Sequence, residues 1–205
     1  MDLVIATTNG HKIRELRAIL KPYAHLDIYS LLDFPNYAPP KETGKTFEEN
    51  AILKATHAAQ ALNKWAMADD SGLVVPALGG APGVISARYA GEEATDRDNR
   101  KKLLKQMETF EGVLRSAYFE CYIALASPEG LKKCVKGICE GEITVQERGG
   151  HGFGYDPIFF KHDYNKTFGQ LEESIKNLVS HRAKALEKLL PFLETLAQEE
   201  EMASN

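Results

Sequence analysis

The chain has 205 residues, with 25 Lys and Arg against 29 Asp and Glu and a formal net charge of −4 at pH 7. This length suits one large domain or two small lobes that share one sheet. This net negative charge gives no electrostatic footprint for duplex nucleic acid, which binds to basic surfaces, so we expect no nucleic-acid polymer as a partner.

Other compositional features narrow the class further. No apolar run is long enough to span a bilayer, and the first residues lack the pattern of a signal peptide. The three cysteines form no C-x-x-C motif, so neither a disulfide framework nor a zinc site is indicated. We therefore expect a cytoplasmic protein without a membrane partner.

The first predicted elements are a buried strand at residues 3–6, a polar loop and an amphipathic helix that ends before Pro22. A helix N-terminus suits phosphate, because its backbone N–H groups carry partial positive charge, and a lysine adds a full charge. The loop is neither a P-loop nor a dinucleotide-binding motif, so an ordinary turn with a solvated lysine is the alternative. The candidate phosphate-binding residues are Thr7, Thr8, Asn9, Gly10, His11 and Lys12.

A long helix is predicted from Thr46 to about Asn63, after a loop at residues 33–45. Thr46 and Glu49 have the spacing of a capping box, which by itself explains Glu49 structurally. Glu49 and Lys54 lie in the first turns of this helix, from which both could reach a ligand. A solvated Lys54 is the alternative.

Two adjacent carboxylates follow an apolar segment at residues 65–68, which predicts a buried strand ending at Ala68. The next residues are Asp69, Asp70, Ser71 and Gly72. Carboxylates are costly to bury unless they are paired, so a loop at the mouth of a site is indicated, with a cation or phosphate nearby. The alternative is a polar turn, since Asp, Ser and Gly are common turn residues.

The C-terminal half adds strands and a glycine-rich loop. A strand at 117–125, a turn at 127–130 and a partner strand at 131–145 indicate an antiparallel pair in a mixed sheet. The loop at 149–157 contains four glycines, and it could present Phe153 or Tyr155 to a flat ligand or fold them into the core.

The last predicted helix begins after Ser180, which is expected to cap it. His181 and Arg182 then lie in the first turn, where basic residues oppose the helix dipole. This position points to an anion or a polar ligand beside them, although a structural histidine is the commoner case. We expect the acidic segment at 198–205 to be a frayed tail.

Taken together, these segments resemble the inosine triphosphate pyrophosphatase, or Ham1-like, family. The matching motifs occur in the family's order from residue 6 to residue 182, which is nearly the whole chain. One departure is Pro76, which stands where the family often has an acid. The matching segments are Ala6–Lys12, Thr46–Ala51, Ala68–Leu73, Gly79–Gly83, Ser86–Gly91, Phe153–Pro157, and Lys176 with Ser180–Arg182.

The resemblance implies an elongated α/β mixed-sheet fold of two lobes with a central nucleotide-binding cleft, as a single domain over residues 1–205. It implies hydrolysis of ITP, dITP and XTP to the monophosphate and pyrophosphate with Mg²⁺, by a homodimer. Glu49 and Asp70 would organise the metal, and Asp70 would be the general base. Asp69 is left open as a metal ligand, its support or a structural residue. The implied nucleotide-binding residues are Thr7 to Lys12, Ser71, Phe153, Gly154, Tyr155, Asp156, Lys176, His181 and Arg182.

Base selection follows from hydrogen-bond polarity. Hypoxanthine and xanthine present an acceptor at C6, where adenine presents a donor, so donors from His181 or Arg182 would disfavour ATP. Two other functions stay open: a phosphomonoesterase with an aspartyl nucleophile, and a nucleotide sensor without catalysis. The first normally has two acids separated by one residue, whereas Asp69 and Asp70 are adjacent.

Overall fold

The computed structural model describes residues 1–203 and contains a mixed α/β sheet of seven strands in the order β2-β1-β3-β4-β5-β6-β7. Strand β1 pairs in parallel with β2 and β3, and β6 pairs antiparallel with β5 and β7. The predicted mixed α/β class is therefore confirmed. The strands are β1 Asp2–Ile5, β2 Asp27–Ser30, β3 Trp65–Val74, β4 Ser116–Ser127, β5 Gly130–Ile143, β6 Phe159–Lys161 and β7 Lys166–Thr167.

In the described part of the chain there are five α-helices, of which the first, second and last agree with predicted helices in type and, within a few residues, in position. They are α1 Gly10–Leu20, α2 Phe47–Leu62, α3 Asp96–Gln106, α4 Glu173–Val179 and α5 His181–Ala203. Among residues 1–203, none of these helices combines the length and apolar character that crossing a bilayer requires. The prediction of a frayed tail falls partly on residues 204–205, which lie outside the described residues, and it stays a prediction.

The chain divides into two compact units. Unit 1 comprises residues 1–70, 121–137 and those from 182 onward, and unit 2 comprises residues 71–120 and 138–181. Each unit has its own hydrophobic core.

In unit 1, small side chains let α2 lie close against the sheet. Thr46 caps this helix by accepting the Glu49 N–H at 3.1 Å. The reciprocal half of the predicted capping box differs, because the Glu49 carboxylate accepts the N–H of Lys45, one residue earlier, at 2.6 Å. The buried alanines that form the contact are Ala51, Ala55, Ala58 and Ala59 of α2, with Ala66, Ala68, Ala124 and Ala126 of the strands.

The β3 strand is longer than predicted. It continues from Trp65 through Asp69 and Asp70 to Val74, so the expected end at Ala68, the loop expected after it and the polar-turn alternative are all wrong. Both carboxylates are almost fully buried in a regular strand. Partners distant in sequence make this possible by neutralising the charges, and no local pattern reveals them.

In unit 2, aromatic rings form the centre of the core. Phe119 packs against Phe159 with ring centroids 4.6 Å apart, and Phe159 packs edge-on against Phe168 at 5.0 Å. Close to this core, the glycine-rich loop passes a second backbone segment. A Cβ added to Gly149 would lie 2.0 Å from the carbonyl oxygen of Gly169, and the φ of Gly149 is +80°.

We therefore expect Gly149→Ala to lower the free energy of unfolding by about 2 kcal/mol or more, since it combines a backbone clash with an unfavourable φ. Gly150→Ala is the matched control, because a Cβ there meets nothing within 4 Å. Chemical denaturation of both variants measures the difference. Equal stability of the two variants would contradict the close approach.

Candidate functional site

The N-terminus of α1 presents the predicted phosphate-binding residues, and its cap comes from the loop itself. Asn9 accepts the backbone N–H groups of His11 at 3.0 Å and Lys12 at 3.2 Å. Thr7 in turn accepts the N–H of Asn9 at 3.2 Å. Thr8, Asn9, Gly10 and His11 are exposed. This turn is thus ordered, and its polar groups remain accessible to a ligand.

Asp69 lies at the centre of a buried ionic cluster in unit 1. Its Oδ2 lies 3.0 Å from the Lys12 ammonium and 3.0 Å from Nη2 of Arg182. Arg182 also donates through Nη1 to Glu15 of α1. Burial alone would raise the pKa of Asp69, but Lys12, Arg182 and Lys54 outweigh it and hold the pKa well below its usual range. The neighbouring cations therefore favour the ionised form of Asp69.

Arg182 is 1% exposed, although it lies in the first turn of α5. Burial disfavours its charge, but Asp69 and Glu15 more than compensate and raise its pKa. The sequence predicted an anion or a polar ligand beside Arg182, and Asp69 and Glu15 are two such anions. Glu15 was missed in the sequence because its partner lies 167 residues away.

Asp70 is held by two residues of α2. Its Oδ1 lies 2.9 Å from the Lys54 ammonium, and its Oδ2 accepts from the Asn50 amide at 3.2 Å. Burial raises the pKa of the Asp70 carboxyl above its ordinary value, although Lys54 and Lys12 oppose the shift. A carboxylate with a raised pKa and a fixed orientation is suited to accept a proton.

Lys54 joins Asp70 to a second acid, since its ammonium also lies 3.0 Å from Oε1 of Glu42. Burial opposes the charge of Lys54, but Asp70, Asp69 and Glu42 raise its pKa. Sequence reasoning missed Glu42 and Asn50. A signal for Asn50 was present, because Asn50 and Lys54 are four residues apart and share one face of α2.

Glu49, the predicted metal ligand, is exposed at the start of α2, and its Oε2 accepts the Lys45 N–H. Across residues 1–203, no group of three or more His, Cys, Asp or Glu side chains is arranged to hold a metal ion. Asp70 and Glu42 share one cation, the Lys54 ammonium, as Asp69 and Glu15 share the Arg182 guanidinium.

In unit 2, Asp156 organises the predicted aromatic loop. Its Oδ2 accepts the Phe153 N–H at 2.9 Å and the Lys176 ammonium at 2.5 Å. The same ammonium lies 4.7 Å from the centre of the Phe153 ring, which is cation–π distance. Lys176 and Asp156 are buried, whereas Phe153 is half-buried. The ion pair therefore fixes both the backbone and the ring of Phe153.

The other predicted residues of unit 2 have different surroundings. Tyr155 is folded into the core, where its hydroxyl donates to the Ser86 carbonyl at 2.8 Å. Burial raises the pKa of that hydroxyl. His181 is 5% exposed and stacks on Phe119 with ring centroids 4.7 Å apart. Ser71 is half-buried in β3, and Gly154 has a φ of +57°.

Known proteins are similar to this chain in sequence and fold over nearly its whole length. A dITP/XTP pyrophosphatase of Chlamydia abortus is 55% identical over 206 residues, with 100% of each chain covered. One of Protochlamydia amoebophila is 56% identical, covering 96% of this chain and 99% of the relative.

Solved structures give the same result. The Ham1 protein of Staphylococcus aureus is 43% identical with a TM-score of 0.83, and the HAM1 protein of Coxiella burnetii is 41% identical with a TM-score of 0.86. Each match covers 95% of this chain and 99% of the solved one. The sequence model of the Ham1 family matches residues 3–192, and the chain belongs to that family.

Proposed function

We propose that this protein hydrolyses the non-canonical purine nucleoside triphosphates ITP, dITP and XTP to the monophosphate and pyrophosphate. The observation that carries the proposal is Asp70, a buried carboxylate of raised pKa that Lys54 and Asn50 hold in place. The dITP/XTP pyrophosphatases named above support the substrate class.

In the proposed reaction, Asp70 takes a proton from water as the water oxygen attacks phosphorus and the bond between the α- and β-phosphates breaks. Negative charge develops on the leaving pyrophosphate, and Lys54 and Lys12 are the ammonium groups of unit 1 that would stabilise it. Residues 7–12 would hold the phosphates chiefly through the exposed Thr8 hydroxyl and the backbone N–H groups of Thr8 and Gly10, because Thr7 and Asn9 accept those of Asn9, His11 and Lys12.

Mg²⁺ is the proposed cofactor. Asp70 and Glu42 offer the oxygen ligands that Mg²⁺ prefers, and they already share one cation, the Lys54 ammonium. This donor chemistry fits the metal, so we propose that Glu42 holds it together with Asp70, in addition to the role expected of Glu49. When bound, Mg²⁺ would neutralise phosphate charge.

We expect Glu42→Gln to raise the Mg²⁺ concentration for half-maximal activity about 10-fold or more, because a carboxylate ligand becomes a neutral amide. Glu48→Gln, an exposed residue in the first turn of α2, is the control. Glu49→Gln in the same titration tests the sequence expectation. A Glu42→Gln curve that superimposes on the wild-type curve would exclude Glu42 as a ligand.

Selection of the base is proposed for unit 2. Phe153 would stack on the purine, while Lys176 and His181 supply donors for the C6 oxygen. Adenine carries a donor at that position, so binding it would leave two donors opposed. Ser71, Gly154, Tyr155, Asp156 and Arg182 complete the proposed set, with Asp156, Tyr155 and Arg182 acting through the contacts described above.

The decisive test is pyrophosphate release from a panel of ITP, dITP, XTP, GTP and ATP with Mg²⁺. We expect ITP, dITP and XTP to be hydrolysed much faster than ATP. Equal rates on ATP and ITP, or no release from any nucleotide, would reject the proposal. Tight binding without product would instead favour the nucleotide sensor.

The aspartyl phosphomonoesterase fits the structure less well. Its nucleophile would be Asp69 or Asp70, and Asp69 is buried with its Oδ2 held by Lys12 and Arg182. Trapping a phosphoenzyme would support that alternative.

We also propose that the enzyme acts in the cytoplasm as a homodimer, without a nucleic-acid polymer or a membrane partner. A monomer mass by light scattering at micromolar concentration would contradict the dimer.

A further inference from the structure

Two side chains of α3 hold both peptide groups of one residue in the glycine-rich loop. Asp96 accepts the N–H of Gly154 at 2.8 Å, and Arg100 donates through Nη1 to the carbonyl of Gly154 at 2.7 Å. The two side chains are four residues apart, so they project from the same face of the helix. We call Asp96, Arg100 and Glu147 the α3 clamp.

Glu147 completes the clamp from the other end of the loop. Its carboxylate accepts hydrogen bonds from Nε of Arg100 at 3.0 Å and from Nη2 at 3.3 Å, which makes the pair bidentate. A single guanidinium therefore ties residue 147, before the glycines, to residue 154, after them. The Arg100 side chain is 13% exposed, so water screens these contacts only in part.

The loop between these two residues needs external support. Gly149, Gly152 and Gly154 all have φ values in the left-handed region, and glycine loses more conformational freedom on ordering than any other residue. The Lys176–Asp156 ion pair fixes Phe153 from one side. The α3 clamp fixes the next residue, Gly154.

We propose that Asp96 and Arg100 are positioning residues that hold the Phe153 ring in the orientation required to stack on a purine base. The inference rests on the proposed function, because it assigns the ligand of Phe153. The residue that the clamp holds adjoins Phe153, so we expect the clamp to act on binding of the base and not on bond cleavage.

The test is steady-state kinetics of Arg100→Ala with ITP. We expect KM to rise about 10-fold while kcat stays within about 2-fold, since charge-assisted hydrogen bonds that order a binding loop are lost. Arg97→Ala, an exposed arginine of the same helix, is the control and should leave both constants unchanged. Arg100→Lys should recover part of the loss, because an amine can still donate to the Gly154 carbonyl.

A double-mutant cycle separates positioning from general destabilisation. In a Phe153→Ala background the ring is absent, so Arg100→Ala should raise KM no further. An additive effect in that background, an unchanged KM, or a loss confined to kcat would each overturn the proposal.

Amide hydrogen exchange makes the result independent of substrate. We expect the Gly154 and Phe153 amides to exchange about 10-fold faster in Arg100→Ala and Asp96→Ala, and at the wild-type rate in Arg97→Ala. Unchanged exchange would overturn the clamp itself. Faster exchange in a protein whose wild type hydrolyses no nucleotide would reject the proposed function while leaving the clamp intact as a structural device.

Discussion

Asp70→Asn is expected to lower kcat by about 100-fold to 10,000-fold, the range over which a positioned general base contributes. An amide has the shape of the carboxylate but cannot take a proton from water. Its oxygen can still accept from Asn50 or Lys54, which hold Asp70 in the wild type at 3.2 Å and 2.9 Å. The loss should therefore fall on turnover and leave the fold in place.

The measurement is pyrophosphate release from ITP under saturating conditions, together with chemical denaturation. Asp27→Asn is the matched control, because Asp27 is an exposed aspartate in β2 of the same unit. A variant at position 70 with a near-normal rate would refute Asp70 as the base. A variant that unfolds would be replaced by Asp70→Glu, which keeps a base but displaces it and should also lose rate.

Arg182→Ala is expected to lower the free energy of unfolding by about 3–5 kcal/mol, the cost of breaking a buried ion pair by removing one partner. Arg182 bridges Asp69 and Glu15, and all three side chains are at most 7% exposed. Without the guanidinium, Asp69 keeps Lys12 as a near partner, whereas Glu15 loses its ion pair with Arg182.

Chemical denaturation at neutral pH measures this loss, and Lys184→Ala, an exposed residue of the same helix, is its control. Adding Glu15→Gln to Arg182→Ala should restore part of the stability, because a neutral amide costs less to bury than a carboxylate that has lost its guanidinium partner. A loss below about 1 kcal/mol would mean that the ion pairs of Arg182 contribute little to the stability of the fold.

Arg182→Ala also separates two roles, since the resemblance implied that Arg182 binds nucleotide. A variant that folds and binds ITP normally would confine Arg182 to the support of Asp69. A raised KM in a folded variant would support a role in binding as well.

Local patterns were sufficient for several elements. The alternation before the turn at 127–130, the Thr46 cap of α2 and the start of α5 after Ser180 all depend on residues within a few positions of each other. Helix caps and turns form through short-range hydrogen bonds, so sequence alone predicts them. The activity was predicted from the order of the family motifs along the chain, because no single motif specified it.

Local patterns could not predict the partner that Asp69 and Glu15 share, because it lies far away in the sequence. Asp69 pairs with a residue 113 positions later, and Glu15 pairs with one 167 positions later. Tyr155, a candidate for contact with a flat ligand, is folded into the core because its hydroxyl finds the Ser86 carbonyl.

The sequence by itself determined that this chain is an α/β protein with a phosphate-suited helix start and an Asp-Asp pair after an apolar segment. Only the tertiary structure decided which groups lie beside each acid. Lys12 and Arg182 hold Asp69 as a buried anion, while Asp70 contacts Asn50 and Lys54, and burial raises its pKa although Lys54 opposes the shift. The physical reason is that the free energy of a buried charge depends on which cations the fold brings beside it.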